Sequence, residues 1–334
     1  MSKRNLLSPS DFSRDELEEL LKLADEVKGQ GMSQVLAGRT LGMLFFDPSL
    51  RTRVSFDVAM TQLGGHCIQI DADREIYDLE PQEQVVMDGA AEEHVKDAAR
   101  TLSRYVDVLG VRQVGRTGDW QRDRQDLLLR SYAEHASVPV INLESMQQHP
   151  CQALADVMTI QEKLGNTRNR KLTIAWSNHP EPKSMGVAHS TAISAAMVGM
   201  DVTIAYPLGF ELDGEVVEEV QSHAEKAGSS VTLVNDLQAG VRDCDVLYSR
   251  SWGSQKYWDD SEREAQVKRS LQSWCIDKGV MDLTNNALFM HSLPVRRNVV
   301  ATDEVLDSPQ SVIYDQAENR KYIQKALLMQ LLQS

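Results

Sequence analysis

Positive charge is scarce in this chain. Its 334 residues carry 35 Lys and Arg against 49 Asp and Glu, a formal net charge of −14. Such an acidic surface repels polyanions, which argues against nucleic acid or an anionic membrane as the main partner. Long apolar runs are also missing, and nothing approaches the length of a membrane span. The opening MSKRNLLSPSDFSRDELEEL has no apolar core of the kind a signal peptide needs. Cysteines are few: Cys67, Cys151, Cys244 and Cys275 are scattered without metal-ligand spacing, which fits reduced, buried thiols in a cytoplasmic protein. The glycine-rich phosphate loops (GxGxxG, GxxxxGK[ST]) are absent, so nucleotide binding of the usual kind is not expected. No paired-carboxylate site, Ser-His-Asp spacing, zinc constellation or low-complexity segment is present. No metal and no cofactor are therefore expected.

Against this background one stretch organises the chain: Phe45-Phe46-Asp47-Pro48-Ser49-Leu50-Arg51-Thr52-Arg53. Residues 40–46 (TLGMLFF) form a short apolar run that reads as a buried strand. Beyond the stretch, Val54, Phe56, Val58, Ala59 and Leu63 recur at helical spacing, and Gly64-Gly65 end the pattern. Ser49 is placed to cap that helix. Strand, tight turn and helix start gather backbone N–H groups and the positive end of a helix dipole at one point. Arg51, Thr52 and Arg53 surround it with donors. The point suits a phosphate or another compact anion. Taken alone, the same residues also make an ordinary capped helix with solvated arginines.

The rest of the chain alternates strands with helices. Ser10 or Ser13 caps a first amphipathic helix with a stripe of Leu17, Leu20, Leu21, Leu23 and Ala24. Strands are predicted at 66–70, 106–111 and 138–143, and helices at 95–105 and 123–136. Residues 71–93 show no pattern and hold nine acidic residues against one basic, Arg74; a long unpatterned segment in a compact domain is a functional loop or a disordered one. His149 opens a helix with Pro150 in its first turn and Gly165 as its stop, and the domain boundary is placed there. The second half repeats the grammar. Strands are predicted at 171–177, 201–206, 230–234, 245–248 and 287–290; helices at 188–198, 215–227 and, at the C-terminus, 317–332. The pattern predicts an α/β protein of two doubly wound parallel-sheet domains. Ligands of such sheets bind beyond the strand C-termini. Polar residues recur there in both halves, so the active site is expected in the cleft between the domains.

Individually the motifs are ambiguous. His149-Pro150-Cys151-Gln152 places an imidazole and an amide one turn apart, either to hold a small carbonyl or amide or as helix cap and capping-box partner. His291-Ser292-Leu293-Pro294-Val295-Arg296-Arg297 follows a strand; it offers a backbone carbonyl near a reacting amine and Arg296 for an anion, or is a strand-ending loop. Arg250 suits a substrate carboxylate or a surface loop, and Glu144 a substrate amine or solvent. Jointly, S-x-R-T at a strand-to-helix turn, Arg112 ending a strand, H-P-x-Q and H-x-L-P-x-R-R resemble the aspartate/ornithine carbamoyltransferase family over essentially the whole chain. The strings VMDGAAEEH, HPCQALAD, YSRSWG, LTNNALFMHSLPVRRNV and ATDEVLDSPQS place the resemblance in its N-acyl-ornithine branch.

That resemblance implies a carbamoyl-phosphate-binding domain at 1–148, onto which the C-terminal helix 317–334 packs back, and an amino-acid-binding domain at 149–316. It implies a homotrimer with shared active sites. Ser49, Leu50, Arg51 and Thr52 would cradle the phosphate of carbamoyl phosphate. Arg112, His149 and Gln152, with neighbouring Pro150 and Cys151, would take its carbamoyl group. Ser292 and Leu293 (through its carbonyl), Arg296 and Arg320 would complete the pocket. Glu144 and Arg250 match acyl-ornithine positions. Residues 71–93 match a loop that reaches a neighbouring subunit's site through Tyr77 and Glu92. The implied catalytic set is Arg51, Arg112, His149, Gln152 and Arg296, acting by positioning and electrostatics without a covalent intermediate.

Some residues depart from the family pattern. The common H-C-L-P reads H-S-L-P at Ser292, a branch lysine falls at Val300, a Trp at Tyr77 and a Lys at Arg250. The expected reaction carbamoylates the δ-amine of N-acetyl-L-ornithine, in arginine biosynthesis. In the resembled branch a carboxylate at the position of Glu92 accompanies the acetyl substrate, whereas a small or apolar residue, notably proline, accompanies the succinyl one. N-succinyl-L-ornithine, plain ornithine, and a non-catalytic metabolite-binding subunit are the alternatives.

Overall fold

A computed structural model describes residues 3–333. The strands are β1 (Thr40–Phe45), β2 (His66–Asp71), β3 (Leu79–Glu80), β4 (Glu93–His94), β5 (Val108–Gln113), β6 (Val140–Ser145), β7 (Lys171–Trp176), β8 (Asp201–Ala205), β9 (Val231–Val234), β10 (Val246–Arg250) and β11 (Leu288–Met290). The helices are α1 (Arg14–Lys28), α2 (Arg51–Gln62), α3 (Val95–Leu102), α4 (Trp120–Asp123), α5 (Leu127–His135), α6 (Pro150–Leu164), α7 (Gly186–Met197), α8 (Gly214–Ala227), α9 (Leu237–Val241), α10 (Ser261–Arg269), α11 (Lys278–Met281), α12 (Asp303–Leu306) and α13 (Ile313–Gln333). Two compact units result. One takes the chain up to Thr117, Gln121–Cys151 and the chain from Arg320 onward; the other takes Gly118–Trp120 and Gln152–Asn319.

The first unit is built on a parallel sheet in the order β2-β1-β5-β6. Its inner strands are largely buried, five of six residues in β1 and four of six in β5, and the edge strand β6 is buried at all six. Close packing of β5 on its neighbour needs Gly110, since a Cβ there would lie 2.8 Å from Leu143 Cδ1. A cluster of Leu44, Val95, Leu109, Val111, Tyr132 and Val140 joins the sheet to α3 and α5. Ser13 caps α1 in a reciprocal capping box with Glu16, and Leu17, Leu20, Leu21, Ala24 and Val27 are its buried stripe. The second unit holds a parallel sheet in the order β11-β10-β7-β8-β9. Gly228, at φ 76°, ends α8 in the left-handed conformation.

Both sheets reverse their winding once, between β1 and β5 and between β7 and β10. At these switch points, loops leave the strand C-termini in opposite directions and open a crevice. Arg51 and Arg112 follow β1 and end β5; Arg250 ends β10.

Several sequence expectations shift. The helix predicted at 123–136 begins only at Leu127, because Asp126 takes a left-handed conformation at φ 48°. Residues 71–93 are mostly irregular, but two short strands, β3 and β4, pair in parallel at Leu79↔Glu93 and Glu80↔His94. The C-terminal helix starts at Ile313, four residues early. Helix α10, with charged residues at most positions, has no apolar stripe to announce it.

Candidate active site

Helix α2 opens at Arg51 directly after β1. Ser49 does not cap it: the cap position falls on Leu50, which is helical (φ −84°, ψ −57°) and makes no side-chain cap bond. The first turn therefore lacks the side-chain acceptor that normally satisfies its N–H groups. Arg53 also departs from expectation. Its guanidinium lies over the Phe45 ring, 4.0 Å from the centroid, a cation–π contact that holds it in the packing. Thr52 is buried, and its Oγ1 accepts from Arg320 Nη2 at 2.7 Å.

Arg320 is 4% exposed. Burial lowers its pKa to about 10, and the positive charges of Arg112 and Arg51 act in the same direction. The guanidiniums of Arg51 and Arg112 thus both lie within electrostatic reach of Arg320. The Nε of Arg112 and the Nε of Arg320 are buried and have no hydrogen-bond acceptor among the described residues.

Arg112 is aimed by an irregularity. The register of β5 against β6 shifts between Val111 and Arg112, so that Arg112 faces Glu144. Arg112 Nη1 forms an ion pair with Glu144 Oε2, and His149 Nε2 lies 3.5 Å from the same oxygen. Glu144, expected on a substrate amine, is engaged by these two neighbours. Pro150 is the first residue of α6, and burial pushes the Cys151 thiol up to about 12, so it stays neutral.

The turn from Glu144 to His149 is held by a residue that sequence reasoning missed. Asp126 accepts from Ser145 Oγ at 2.6 Å, Met146 N–H at 3.1 Å and Gln147 N–H at 3.3 Å. Asn142 Nδ2 adds bonds to Ser145 Oγ and the Gln148 carbonyl. Burial raises the Asp126 pKa to about 6 despite these donors. An unfolded Asp titrates near about 3.9. Between these values the folded chain holds a proton that the unfolded chain has released. The stabilisation is complete below about pH 4 and is lost as pH rises through 6. Asp126→Asn removes the titration. Its stability deficit against wild type, from urea unfolding, is expected to be larger near pH 4.5 than near pH 7.5 by roughly 2 kcal/mol. A deficit independent of pH would contradict this.

In the second unit, Gln152 Nε2 donates to Asp156 Oδ1 at 2.8 Å, one turn along α6. Arg250 Nη1 donates to Ser292 Oγ at 3.3 Å, so two departures from the family pattern contact each other. Leu293 is half-buried, in a cis peptide with Pro294. Arg296 Nε donates to His179 Nε2 at 3.1 Å. Burial holds the His179 pKa down to about 4, with Lys183 adding to the effect, so the ring is a neutral acceptor. Val300 is buried, and its carbonyl accepts from Ile276 N–H. Among the acidic-segment residues, Tyr77 is 65% exposed. Glu92 is exposed, and its carboxylate makes no hydrogen bond or ion pair among the described residues. Among the described residues no group of three or more His, Cys, Asp or Glu could hold a metal ion, and no helix is long and apolar enough to cross a membrane.

Comparison with known proteins agrees with this arrangement. Residues 4–162 match the model of the aspartate/ornithine carbamoyltransferase carbamoyl-P binding domain, and residues 170–331 that of the Asp/Orn binding domain. The chain is 38% identical to the N-acetylornithine carbamoyltransferase of Xanthomonas campestris pv. campestris, across 99% of this chain and 98% of that protein. It is 39% identical to the ornithine carbamoyltransferase of Pyrococcus abyssi, across 98% and 96%. A crystal structure of acetylornithine transcarbamylase complexed with acetylcitrulline superposes with a TM-score of 0.96 at 38% identity, covering 98% of this chain and 99% of that one. Both halves, and nearly every residue between them, place this chain in the aspartate/ornithine carbamoyltransferase family.

Proposed function

We propose that the chain transfers the carbamoyl group of carbamoyl phosphate to the δ-amine of N-acetyl-L-ornithine, giving N-acetyl-L-citrulline and phosphate, as a step of arginine biosynthesis. The observation that carries this reading is the pair of buried Nε–H groups of Arg112 and Arg320 that lack acceptors, in electrostatic reach of Arg51. Buried charged donors without acceptors are costly. A phosphate dianion supplies the missing acceptors and offsets the repulsion among the three cations.

The residues divide the work as follows. Ser49, Leu50, Arg51 and Thr52 receive the phosphate at the start of α2, with Arg320 fixed on it through Thr52. Arg112 and His149 donate to the carbamoyl oxygen, on which negative charge develops as the amine adds. Gln152 commits its Nε2 to Asp156, which leaves Oε1 to accept from the carbamoyl NH₂. The neutral δ-amine forms the new C–N bond. The C–O bond to phosphate then breaks, and the departing phosphate takes the amine proton. Ser292, the Leu293 carbonyl and Arg296 complete the carbamoyl site. Arg250, Glu144 and Glu92 face the acyl-ornithine.

The direct test offers purified protein carbamoyl phosphate with N-acetyl-L-ornithine, N-succinyl-L-ornithine or ornithine. Phosphate release matched by citrulline-type product with the acetyl compound is expected. No product with any amine would leave only a metabolite-binding role.

We further propose a cytoplasmic homotrimer whose sites are shared, with Tyr77 and Glu92 of one subunit serving the next. The exposure of Tyr77 and the uncommitted Glu92 carboxylate support it. Mixing a Tyr77→Ala/Glu92→Ala variant with an Arg51→Ala variant is expected to regenerate activity as subunits exchange. Exchange without any recovery would mean that each site is built from one chain.

A further inference from the structure

We propose that Asp156 is a positioning residue for the transfer reaction: one carboxylate sets the amide of Gln152 and, through Gln316, the start of the segment that follows β11. What Gln152 touches rests on the carbamoyl-transfer reading; the network itself does not.

Asp156 is 1% exposed. Its Oδ1 accepts from Gln152 Nε2 at 2.8 Å and from Gln316 Nε2 at 2.7 Å, and its Oδ2 accepts from Thr191 Oγ1 at 3.2 Å. Gln316 Nε2 also lies 3.1 Å from the Tyr248 hydroxyl. The orientation of Gln316 is fixed at its other end. The His291 N–H can only donate, so the atom 3.1 Å from it is Gln316 Oε1. Nε2 must then face Asp156. Gln152 and Asp156 are spaced i and i+4 on α6, which brings their side chains together.

A buried carboxylate with no cation beside it is expensive. No Lys, Arg or His pairs with Asp156 among the described residues, and neutral donors alone support it. An apolar side chain of similar size would cost the fold less. Burial raises the Asp156 pKa to about 6; above that pH the ionised carboxylate is an acceptor that cannot donate. It forces both amides to turn their N–H groups inward, so Gln152 presents its carbonyl outward rather than its NH₂. Gln316 meanwhile ties the same carboxylate to the backbone just before Ser292 and Leu293. Tyr248 on β10 hydrogen-bonds the same carboxylate, so residues on α6, α7, β10 and α13 share one acceptor.

Asp156→Leu, close in shape and unable to accept, frees the Gln152 amide to turn. The expected result is a fall of about 10²-fold in kcat/KM for carbamoyl phosphate. Asp156→Asn should recover most of it, because its Oδ1 can still accept from both amides while Nδ2 donates to Thr191 Oγ1. The decisive readout is a double-mutant cycle. If Asp156 acts through Gln152, adding Gln152→Ala to Asp156→Leu costs no more than about twofold further. The same large factor in both backgrounds would overturn the proposal, as would near-normal activity of Asp156→Leu. If Asp156→Leu does not fold, Asp156→Ser carries the same cycle. If the wild-type protein transfers no carbamoyl group, the reading of function fails. Crystal structures of the wild type and the variant then decide the inference: a Gln152 amide unmoved in the variant refutes it, and a turned amide supports it.

Discussion

Arg51→Ala is expected to bring turnover close to zero while leaving the protein folded. The buried face of α2 is Thr52, Phe56, Ala59 and Met60; Arg51 is only half-buried and not part of it. Its loss leaves that buried face intact, so the protein should stay folded with a cooperative thermal transition. The loss falls on the ligand. A charge-assisted, often bidentate contact to phosphate that strengthens as charge moves onto the leaving group is worth on the order of 2–4 kcal/mol, or about 30- to 10³-fold in rate. Arg53→Ala is the contrasting variant. Its guanidinium stacks on Phe45, so its loss should cost about 0.5–1 kcal/mol of stability and leave turnover near wild type. Steady-state kinetics with varied carbamoyl phosphate, alongside thermal unfolding, separates the two. Saturable, near-normal activity of Arg51→Ala would remove the phosphate from the start of α2.

Much of the fold was legible because buried parallel strands advertise themselves. TLGMLFF, VPVINL and KLTIAWS are apolar on both faces and sit between helical patterns; the structure ends them within two residues of expectation. Residues that act through neighbours in the chain were legible too, such as Arg51 after β1 and Pro150 at the start of α6. Residues that act through distant partners were not. Asp156 looks like an ordinary polar position on a helix, and its partners Thr191 and Gln316 lie 35 and 160 residues away. Asp126 hid inside a helical pattern that its own left-handed backbone breaks. The same blindness misassigned neighbours. Spacing shows that Arg53 follows Thr52, but not that Phe45 lies beneath it. It shows Glu144 past a strand core, but not that the β5 bulge turns Arg112 onto it.

Substrate choice should turn on Glu92. The carboxylate lies just ahead of β4, and its backbone N–H is held by the Asp78 carbonyl at 3.2 Å. It does not belong to the first turn of α3, which begins at Val95 with His94 as its cap and Asp97 as its acidic first-turn residue. A role in neutralising that helix dipole therefore does not account for it. A succinyl tail carries a carboxylate that an acetyl group lacks. Held near Glu92 in a partly desolvated site, it meets a like charge, and such repulsion discriminates by a few kcal/mol. We expect N-acetyl-L-ornithine to be preferred over N-succinyl-L-ornithine by about 10²-fold or more in kcat/KM. Glu92→Ala and Glu92→Pro should reverse or erase that preference through the succinyl compound, with the KM for carbamoyl phosphate nearly unchanged. Raising ionic strength should narrow the wild-type preference, because screening weakens a charge–charge effect and leaves a purely steric one untouched. A wild type that favours the succinyl substrate, or variants whose preference stays put, would reassign Glu92 without disturbing carbamoyl transfer.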